Sequence, residues 1–437
     1  MDFLRRFLLL FAWMLCIVPV FAQWQVTGGL YTPYRLEVSA STGLSSVYLL
    51  YGSRDAEVTY TLPSSSPAKA YRYQTSAVTP ESIPLIQDQQ YVRLVDPAPS
   101  YGYLIEQDGR VLSYMWLIDY AVVAVEMHSL QVDESASDCF FTTLVFDREM
   151  PDLFYYTIHG QRKDIVRDFM VDYQTLQWQE EAKQFEKITR SEEVVGYASI
   201  QVEAPFVDTS FRITSDQFLR FWGIGQSVET DVYTTSAITG QAFATQVLRE
   251  NGNELDKQTG SVLGGSAPVE VEFESYVNEP VVTYQAWELS TDATFEVVDT
   301  RFYESDFSFS FEEEGTTYVR FVINNAQGDC EKEVARFEVS TIESSLEVPN
   351  VFTPQSQSGS NTQFKVAYKS LIQFEGIIYN RWGNELFRWT DPGQGWDGKY
   401  KGKYVPTGAY YYYIQATGVG GKEYKLKGDI NVLNTSR

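Results

Sequence analysis

The sequence predicts an all-β protein built from tandem immunoglobulin-like β-sandwich domains. Apolar and polar residues alternate with a period of two, as at residues 269–274 (Val-Glu-Val-Glu-Phe-Glu) and 307–311 (Phe-Ser-Phe-Ser-Phe). Because successive side chains of a strand point to opposite faces, each run predicts a strand with one buried side. The 30 Tyr and 9 Trp favour strands over helices. Turn signals such as Asn251-Gly252-Asn253 separate the runs at a spacing typical of sandwiches.

The length and composition predict several packed domains. A chain of 437 residues is long for one domain of ~100–150 residues. Hydrophobic residues make up 44% of it, which argues against disorder. We divide the chain into residues 1–22, 23–131, 132–239, 240–345 and 346–437.

The first segment has the pattern of a secretory signal peptide. Arg5 and Arg6 form a basic start, an apolar run follows at residues 7–21, and the small Ala22 closes it. The predicted cleavage lies between Ala22 and Gln23. A membrane anchor is the alternative, but the run is short for a span of ~20 residues and polar sequence follows at once. No later stretch reaches that length, so we expect no transmembrane segment in the mature chain.

The next two domains contain alternating runs but no motif of a known family. The candidate strands are 47–51, 57–61, 91–94 and 114–117 in the first of them, and 140–146, 154–158 and 199–203 in the second. Trp178, Ala182, Phe185 and Ile188 recur at helical spacing, which predicts one short helix in the second domain.

The domain at 240–345 resembles a PKD-like immunoglobulin-type sandwich. The segments that carry the resemblance are 266–271, 284–287 and 315–322. It implies that Trp287 is the core aromatic side chain between the two sheets and that Gly315 precedes a strand.

The last domain carries five short motifs, which begin at Pro349, Tyr379, Gly395, Val405 and Gly428. In order and spacing they resemble the gliding-motility-type (type B) C-terminal sorting domain of the type IX secretion system of Bacteroidota. This domain is expected to be a seven-stranded-type sandwich. The candidate sorting-domain residues are Pro349, Asn350, Phe352, Pro354, Asn380, Arg381, Trp382, Gly383, Trp396, Asp397, Gly398, Pro406, Gly408, Tyr410, Tyr411 and Gly428.

The resemblance implies an export route and partners. Such proteins are exported by the Sec pathway, fold in the periplasm and cross the outer membrane through the type IX translocon. The expected partners are the translocon and an outer-membrane barrel protein, with other surface proteins or matrix as further candidates. The expected location is secreted or cell-surface, associated with the outer membrane and reached through the periplasm.

The aromatic motif residues allow two interpretations. Trp382, Trp396 and the tyrosine run at 410–413 predict core packing in the first, which we favour, and a surface read by the translocon in the second. An exposed terminal strand at 428–433 would also suit strand addition. The segment 355–361 lacks the acidic loop of many family members, so no calcium site is predicted there.

Charge and cysteine content exclude several functions. The formal net charge of −24 would repel nucleic acid and anionic membranes. The mature chain keeps Cys139 and Cys330, which fall in different predicted domains. We therefore favour unpaired cysteines over a long-range disulfide, and the absence of neighbouring ligands predicts no zinc site.

No motif indicates catalysis, so we expect no enzyme, no catalytic, cofactor-binding or metal residue, and no cofactor. The two histidines, His128 and His159, lack metal-ligand spacing, and no Gly-x-Ser-x-Gly sequence occurs. We therefore predict a non-catalytic protein that acts through protein–protein contacts, as an accessory or signalling subunit of the secretion machinery or as an adhesin. The alternatives are a carbohydrate-binding or glycan-degrading protein with its activity in the N-terminal half, and a surface-layer or filament subunit.

Overall fold

The computed structural model describes residues 23–249, 253–256, 262–357, 359 and 361–434. The predicted signal peptide at residues 1–22 lies outside them. Strands account for 54% of the described residues and helices for 4%, which confirms the predicted all-β class of tandem immunoglobulin-like sandwiches.

The first region folds into two facing sheets. One sheet has the order β1-β4-β8-β7 and the other β2-β3-β10-β9-β5-β6. All four predicted strands are present. The strands are β1 (Trp24–Thr27), β2 (Tyr34–Leu36), β3 (Ser46–Leu50), β4 (Glu57–Thr61), β5 (Ala68–Tyr73), β6 (Glu81–Ile83), β7 (Leu85–Asp88), β8 (Tyr91–Leu94), β9 (Tyr101–Gln107) and β10 (Arg110–Asp119).

The second region contains three small sheets, ordered β11-β12-β17, β13-β14 and β16-β15-β18-β19. Its elements are β11 (Glu126–Asp133), β12 (Phe141–Glu149), β13 (Phe154–Tyr156), β14 (Arg162–Asp164), β15 (Asp168–Gln179), β16 (Gln184–Val195), β17 (Ser199–Glu203), β18 (Arg212–Thr214), α1 (Gln217–Trp222) and β19 (Ser227–Glu229).

The six-stranded sheet is buried on both faces, which joins these two regions. All five residues of β3 are buried. Leu50 and Leu117 face the four-stranded sheet, whereas Val47 and Trp116 share a core with Phe146 of the second region. A strand buried on both sides needs a continuous apolar run, as β3 has, instead of alternation. The predicted boundary at residue 131 therefore crosses continuous packing.

The predicted helix around Trp178–Ile188 is wrong. These residues form the hairpin of β15 and β16, in which Trp178 pairs with Phe185 at a ring-centroid distance of 5.2 Å. The spacing that imitates a helix comes from residues that face each other across a tight turn. The one α-helix among the described residues is α1, whose N-terminus is capped by Asp216 and which ends at Gly223, where φ is +70°. Glycine adopts this angle without steric cost.

The third region is a sandwich of two sheets, β20-β22-β25 and β21-β27-β26-β23-β24. In β22 the apolar residues are buried and the glutamates at 270 and 272 are exposed. Trp287 is fully buried, 4.8 Å from the Phe321 ring. The strands are β20 (Gly240–Val247), β21 (Gly264–Gly265), β22 (Val269–Val277), β23 (Val282–Ser290), β24 (Thr300–Phe302), β25 (Phe307–Phe311), β26 (Gly315–Asn325) and β27 (Glu331–Thr341).

A disulfide joins the second and third regions, contrary to our expectation of unpaired cysteines. The sulfur atoms of Cys139 and Cys330 lie 2.00 Å apart. Cys139 precedes β12, and Cys330 lies in the turn before β27. At a sequence separation of 191, neither cysteine carries a local signal of their proximity.

The terminal region has a five-stranded sheet, β29-β36-β35-β31-β32, with two-stranded ribbons β28-β30 and β33-β34 beside it. Its own core contains Phe352, Phe364, Ile378, Trp396 and Ile430. The strands are β28 (Ser345–Glu347), β29 (Val351–Phe352), β30 (Ala367–Lys369), β31 (Leu371–Tyr379), β32 (Glu385–Trp389), β33 (Lys399–Tyr400), β34 (Lys403–Tyr404), β35 (Gly408–Gly418) and β36 (Glu423–Val432).

The terminal strand is an edge over only part of its length. β36 pairs with β35 throughout. At Asn431 and Val432 it also pairs with β29. The last residues of the strand, part of the segment 428–433 that we considered for strand addition, are therefore covered.

One end of the terminal region contacts the third region. Asn253 Nδ2 donates to the carbonyl oxygens of Val366 (2.7 Å) and Pro392 (2.5 Å). The Leu255 amide donates to Tyr368 O at 2.9 Å. Residues 253–256 thus reach across and pair with the terminal domain.

A buried serine reinforces this contact. Ser370 is fully buried; its hydroxyl donates to Ile342 O at 2.6 Å and accepts from the Ala267 amide at 3.0 Å. Tyr424 donates to Ser344 O at 2.8 Å. The neighbour-facing end is our name for the end of the terminal region that makes these contacts, with residues Val366, Tyr368, Ser370, Pro392 and Tyr424. Within the described residues, no helix combines the length and hydropathy needed to cross a bilayer.

Candidate recognition surface

The predicted motif residues separate into a buried group and an exposed group. Phe352 and Trp396 are fully buried, and Tyr410 is 9% exposed. The Trp396 ring lies 5.5 Å from Phe352 and 5.7 Å from Tyr410. Both polar atoms are satisfied, since Trp396 Nε1 donates to Lys399 O and the Tyr410 hydroxyl to Pro406 O, each at 2.9 Å. These residues form core.

Asp397 and Gly398, from the Gly-Trp-Asp-Gly motif, make close contacts within a turn. Gly398 has a φ of +77°, and a Cβ there would lie 2.9 Å from the buried Pro354 ring. Asp397 Oδ1 accepts from the Lys399 amide at 2.9 Å, and its Oδ2 lies 3.0 Å from Lys399 Nζ. Burial raises the pKa of Asp397, but the contacts with Lys399 outweigh burial and lower it. Asp397 is thus a paired turn residue.

Two further motifs hold the terminal strand. The Asn350 carbonyl, after the half-buried Pro349, accepts from the Asn431 amide at 2.9 Å. Gly428 faces Tyr412, and a Cβ there would lie 2.7 Å from its hydroxyl oxygen. Glycine at this position leaves room for the tyrosine ring.

The Asn-Arg-Trp-Gly motif forms an exposed, well-ordered turn after β31. Asn380 Oδ1 accepts from the amides of Trp382 (3.0 Å) and Asn384 (2.9 Å). Gly383 has a φ of +80°, and its amide donates to Asn380 O at 3.0 Å. These bonds fix the turn, yet Trp382 is 71% exposed. The Arg381 guanidinium stacks on its ring at 4.3 Å.

This turn meets the Pro-Thr-Gly motif at a groove of about 420 Å³. Tyr379 pairs with Tyr411 across β31 and β35, so the end of one strand lies beside the start of the other. The groove therefore unites two motifs that are 25 residues apart, whereas Pro349, Asn350, Asp397 and Gly428 do not line it. Lining residues include Asn380, Arg381, Trp382, Pro406, Gly408 and Tyr411.

A hairpin that the sequence analysis missed completes this surface. Tyr400 of β33 lines the groove and is 39% exposed. Lys403 pairs with it across the ribbon, and Lys401 Nζ lies 5.2 Å from its ring. The run Lys-Tyr-Lys-Gly-Lys at residues 399–403 was the available signal. We name Arg381, Trp382, Tyr400, Lys401, Lys403 and Tyr411 the distal patch.

A second cavity, of about 610 Å³, lies beside the disulfide between the second and third regions. Phe140 and Phe141, which are 72% and 48% exposed, line it together with Glu203. The nearby cluster Cys139, Asp329 and Cys330 has metal-ligand proximity. Its sulfurs are consumed in the disulfide, so it lacks the thiolates that a metal would need.

Comparison with protein-family models finds two matches. Residues 131–230 match a fibronectin type III domain, which the sequence analysis had not named. Residues 346–432 match the CHU_C type IX secretion signal domain. The terminal region is a type IX secretion signal domain. The protein is therefore exported to the cell surface or extracellular space, and this signal domain implies an interaction with the secretion machinery. The PKD-like assignment of the third sandwich remains a prediction.

Other comparisons add little. No curated protein matches the chain. Similar solved structures include dimeric latent PorU from Porphyromonas gingivalis, with 10% identity, 75% of this chain and 36% of that chain covered, and a TM-score of 0.16. The three N-terminal domains of the outer capsid protein Hoc of bacteriophage RB49 have 11% identity, with 71% of this chain and 99% of that chain covered, and a TM-score of 0.22. A Ca²⁺-stabilised adhesin of an Antarctic bacterium has 10% identity, with 86% of this chain and 94% of that chain covered, and a TM-score of 0.19. The low TM-scores carry no functional argument.

Proposed function

We propose that this protein is a non-catalytic surface protein that leaves the cytoplasm by its signal peptide and crosses the outer membrane through the type IX translocon. There it associates with the outer membrane, with a barrel protein as partner, and works through protein–protein contacts. The observation that carries this proposal is the signal domain, which has its own hydrophobic core and exposes aromatic side chains at the end opposite the third sandwich.

The arrangement of the signal domain supports its role as the part that is recognised. Its hydrogen bonds to the third sandwich lie at one end, around Ser370 and Tyr424. The aromatic core around Trp396 is contributed by the domain itself. The opposite end keeps Trp382 exposed. The domain can therefore present a surface while it stays attached to the folded remainder.

In this proposal the described histidine and carboxylate side chains belong to the surface, and we assign none of them a catalytic role. The Nδ1 atom of His128, a partly exposed residue, lies 3.7 Å from Asp147 on the neighbouring strand. The carboxylate-rich strand faces are solvent-exposed, as at Glu270 and Glu272. Co-purification of translocon or barrel components from outer membranes would support the accessory role; their absence would favour the adhesin.

Deletion of residues 346–437 tests the export route. We expect the truncated chain to accumulate in the periplasm and to lose surface exposure, because it lacks the recognised domain. Cell fractionation with protease treatment of intact cells measures this. A reporter that carries the same segment behind a signal peptide should reach the surface. Unchanged export of the truncated chain would contradict the proposal.

The cavity beside the disulfide favours one second candidate, a carbohydrate-binding role. Exposed Phe140 and Phe141 provide apolar rings, and Glu203 provides a hydrogen-bond acceptor. Pockets with apolar walls and a few polar groups are usual ligand sites. Direct glycan binding at this cavity, without co-purified secretion components, would favour this candidate over the first.

A further inference from the structure

We propose that the distal patch is the part of the signal domain that its protein partner grips, and that the partner offers carboxylates around an apolar recess for Trp382. This inference rests on the proposed function, because it assumes that the signal domain is what the machinery binds. It adds the location of the contact and the chemistry of the partner.

The topology places the distal patch far from the rest of the protein. β31 begins at Leu371, beside Ser370 of the neighbour-facing end, and finishes at Tyr379 beside the groove. β35 runs antiparallel to it, with Leu371 opposite Gly418 and Tyr379 opposite Tyr411. Eight steps of ~3.3 Å separate the two ends by about 26 Å. A partner can therefore reach the distal patch without displacing the third sandwich.

The side chains of the distal patch have the composition of a binding hot spot. Trp382, Tyr400 and Tyr411 are 71%, 39% and 45% exposed. Tryptophan, tyrosine and arginine are the residues that contribute most to protein–protein affinity. The turn around Asn380 is already fixed by its own hydrogen bonds, so binding would order little additional backbone. Burial of these rings is thus more favourable than for a mobile loop.

The charges of the distal patch lack partners within the described residues. Arg381, Lys401 and Lys403 form no ion pair there, whereas Arg388 is paired with Glu375 and Glu385, and Lys425 with Glu423. Asp429, opposite Tyr411, is the carboxylate that faces the patch from the neighbouring strand. Three cations around exposed rings favour a partner with negative charge.

The distribution of charge along the chain makes this preference directional. Residues 346–437 contain 11 Lys and Arg but 7 Asp and Glu, a net +4. Residues 1–345 contain 23 Lys and Arg but 51 Asp and Glu, a net charge of −28. An acidic partner is therefore repelled by most of the molecule and attracted to its terminal domain. Electrostatic steering of this kind orients the encounter at the correct end.

Variants of the full-length chain in the producing bacterium test the inference. The triple variant R381E/K401E/K403E and the single variant W382A should each reduce the surface-exposed fraction on the order of tenfold or more, as for hot-spot residues. The variant R381K/K401R/K403R keeps the charges and should stay within about twofold of the parent, since charge complementarity is retained. Thermal melting of each purified variant checks that it is folded.

The matched control is K422E/K425E/K427E. It changes the net charge equally, but these exposed lysines lie on or beside β36, the strand expected to accept strand addition. We expect export within about twofold of the parent, because they lie outside the distal patch. Loss of export in this variant alone would assign recognition to the strand edge and overturn the inference.

The remaining outcomes separate the inference from the proposed function. Normal export of the folded distal variants, together with loss on deletion of residues 346–437, would overturn the inference and leave the proposed function standing. Normal export after the deletion would overturn the proposed function itself. The purified protein can also be tested for binding to phosphatidylethanolamine–phosphatidylglycerol vesicles. Binding that is lost in the triple variant would show that the ligand is a membrane surface and not a protein, and would overturn the inference.

Discussion

The third sandwich and the signal domain use the same kinds of side chain in opposite ways. In the third sandwich, Glu288 is buried between Arg301 and Arg320, at N–O distances of 2.8 and 2.6 Å. In the signal domain, Arg381 stacks on Trp382 and has no carboxylate partner among the described residues. The third sandwich pairs this buried carboxylate internally, whereas the signal domain leaves the cations of the distal patch unpaired within the described residues.

The tryptophans of the two domains also differ in exposure, and the difference lies within the signal domain. Trp287 of the third sandwich is fully buried among phenylalanine rings, and Trp396 of the signal domain is equally buried. Trp382, in the same domain as Trp396, is 71% exposed. Because an exposed tryptophan adds nothing to a core, the position of Trp382 is better explained by binding than by stability.

The largest expected effect is the difference between replacing Trp396, the buried tryptophan of the signal domain, and replacing Trp382, its exposed one. Trp396→Ala should destabilise the domain by about 3–5 kcal/mol, because it leaves a cavity among Phe352 and Tyr410. Trp382→Ala should change the free energy of unfolding by about 0.5 kcal/mol or less. Chemical denaturation of both variants measures this. Equal losses would mean that Trp382 is structural, and the contrast between the two groups of motif residues would fail.

A smaller effect should follow from loss of the disulfide, which holds the third sandwich to the second region but has no counterpart at the signal domain. The double variant Cys139→Ser/Cys330→Ser should lose about 2–4 kcal/mol of stability, mainly because the unfolded chain is no longer cross-linked. Denaturation with and without reductant measures it: reductant should destabilise the parent and leave the variant unchanged. An unaffected parent would contradict the disulfide.

The strands were predictable because their signal is local. Alternation identified β22 and β25, and the buried run at 47–51 identified β3. The hairpin at Trp178 was misassigned because the seven-residue spacing of Trp178 and Phe185 fits both two turns of a helix and two paired positions across a turn. The disulfide escaped prediction because nothing near either cysteine reports a partner 191 residues away.

The candidate surface was predictable only in part, for the same reason. The motifs named Arg381, Trp382 and Tyr411, but the sequence favoured core packing for all the aromatic residues. Which of them are buried depends on the faces that the sheet presents. Lys401 and Lys403 were missed because a lysine is informative only when its neighbours, and its lack of an ion pair, are known.

The smallest effect tests the internally paired charges by pH. Burial alone raises the pKa of Glu288, but hydrogen bonds and charges from Arg301 and Arg320 outweigh burial and lower it below its ordinary 4.5. A depressed folded-state pKa stabilises the protein above the unfolded pKa. This stabilisation is fully present above about pH 4.5 and is lost as the pH falls through the folded pKa.

Glu288→Gln should therefore cost about 1–2 kcal/mol at pH 7, since charge-assisted hydrogen bonds are lost. The cost should shrink as the pH falls through the lowered folded-state pKa, where the parent carboxylate becomes protonated. Glu312→Gln is the matched control, because Glu312 is exposed and forms no ion pair within the described part of the chain. A loss at Glu288 that does not shrink as the pH falls through the folded-state pKa would show that its packing, not its charge, matters. The contrast with the unpaired cations of the distal patch would then have to rest on that patch alone.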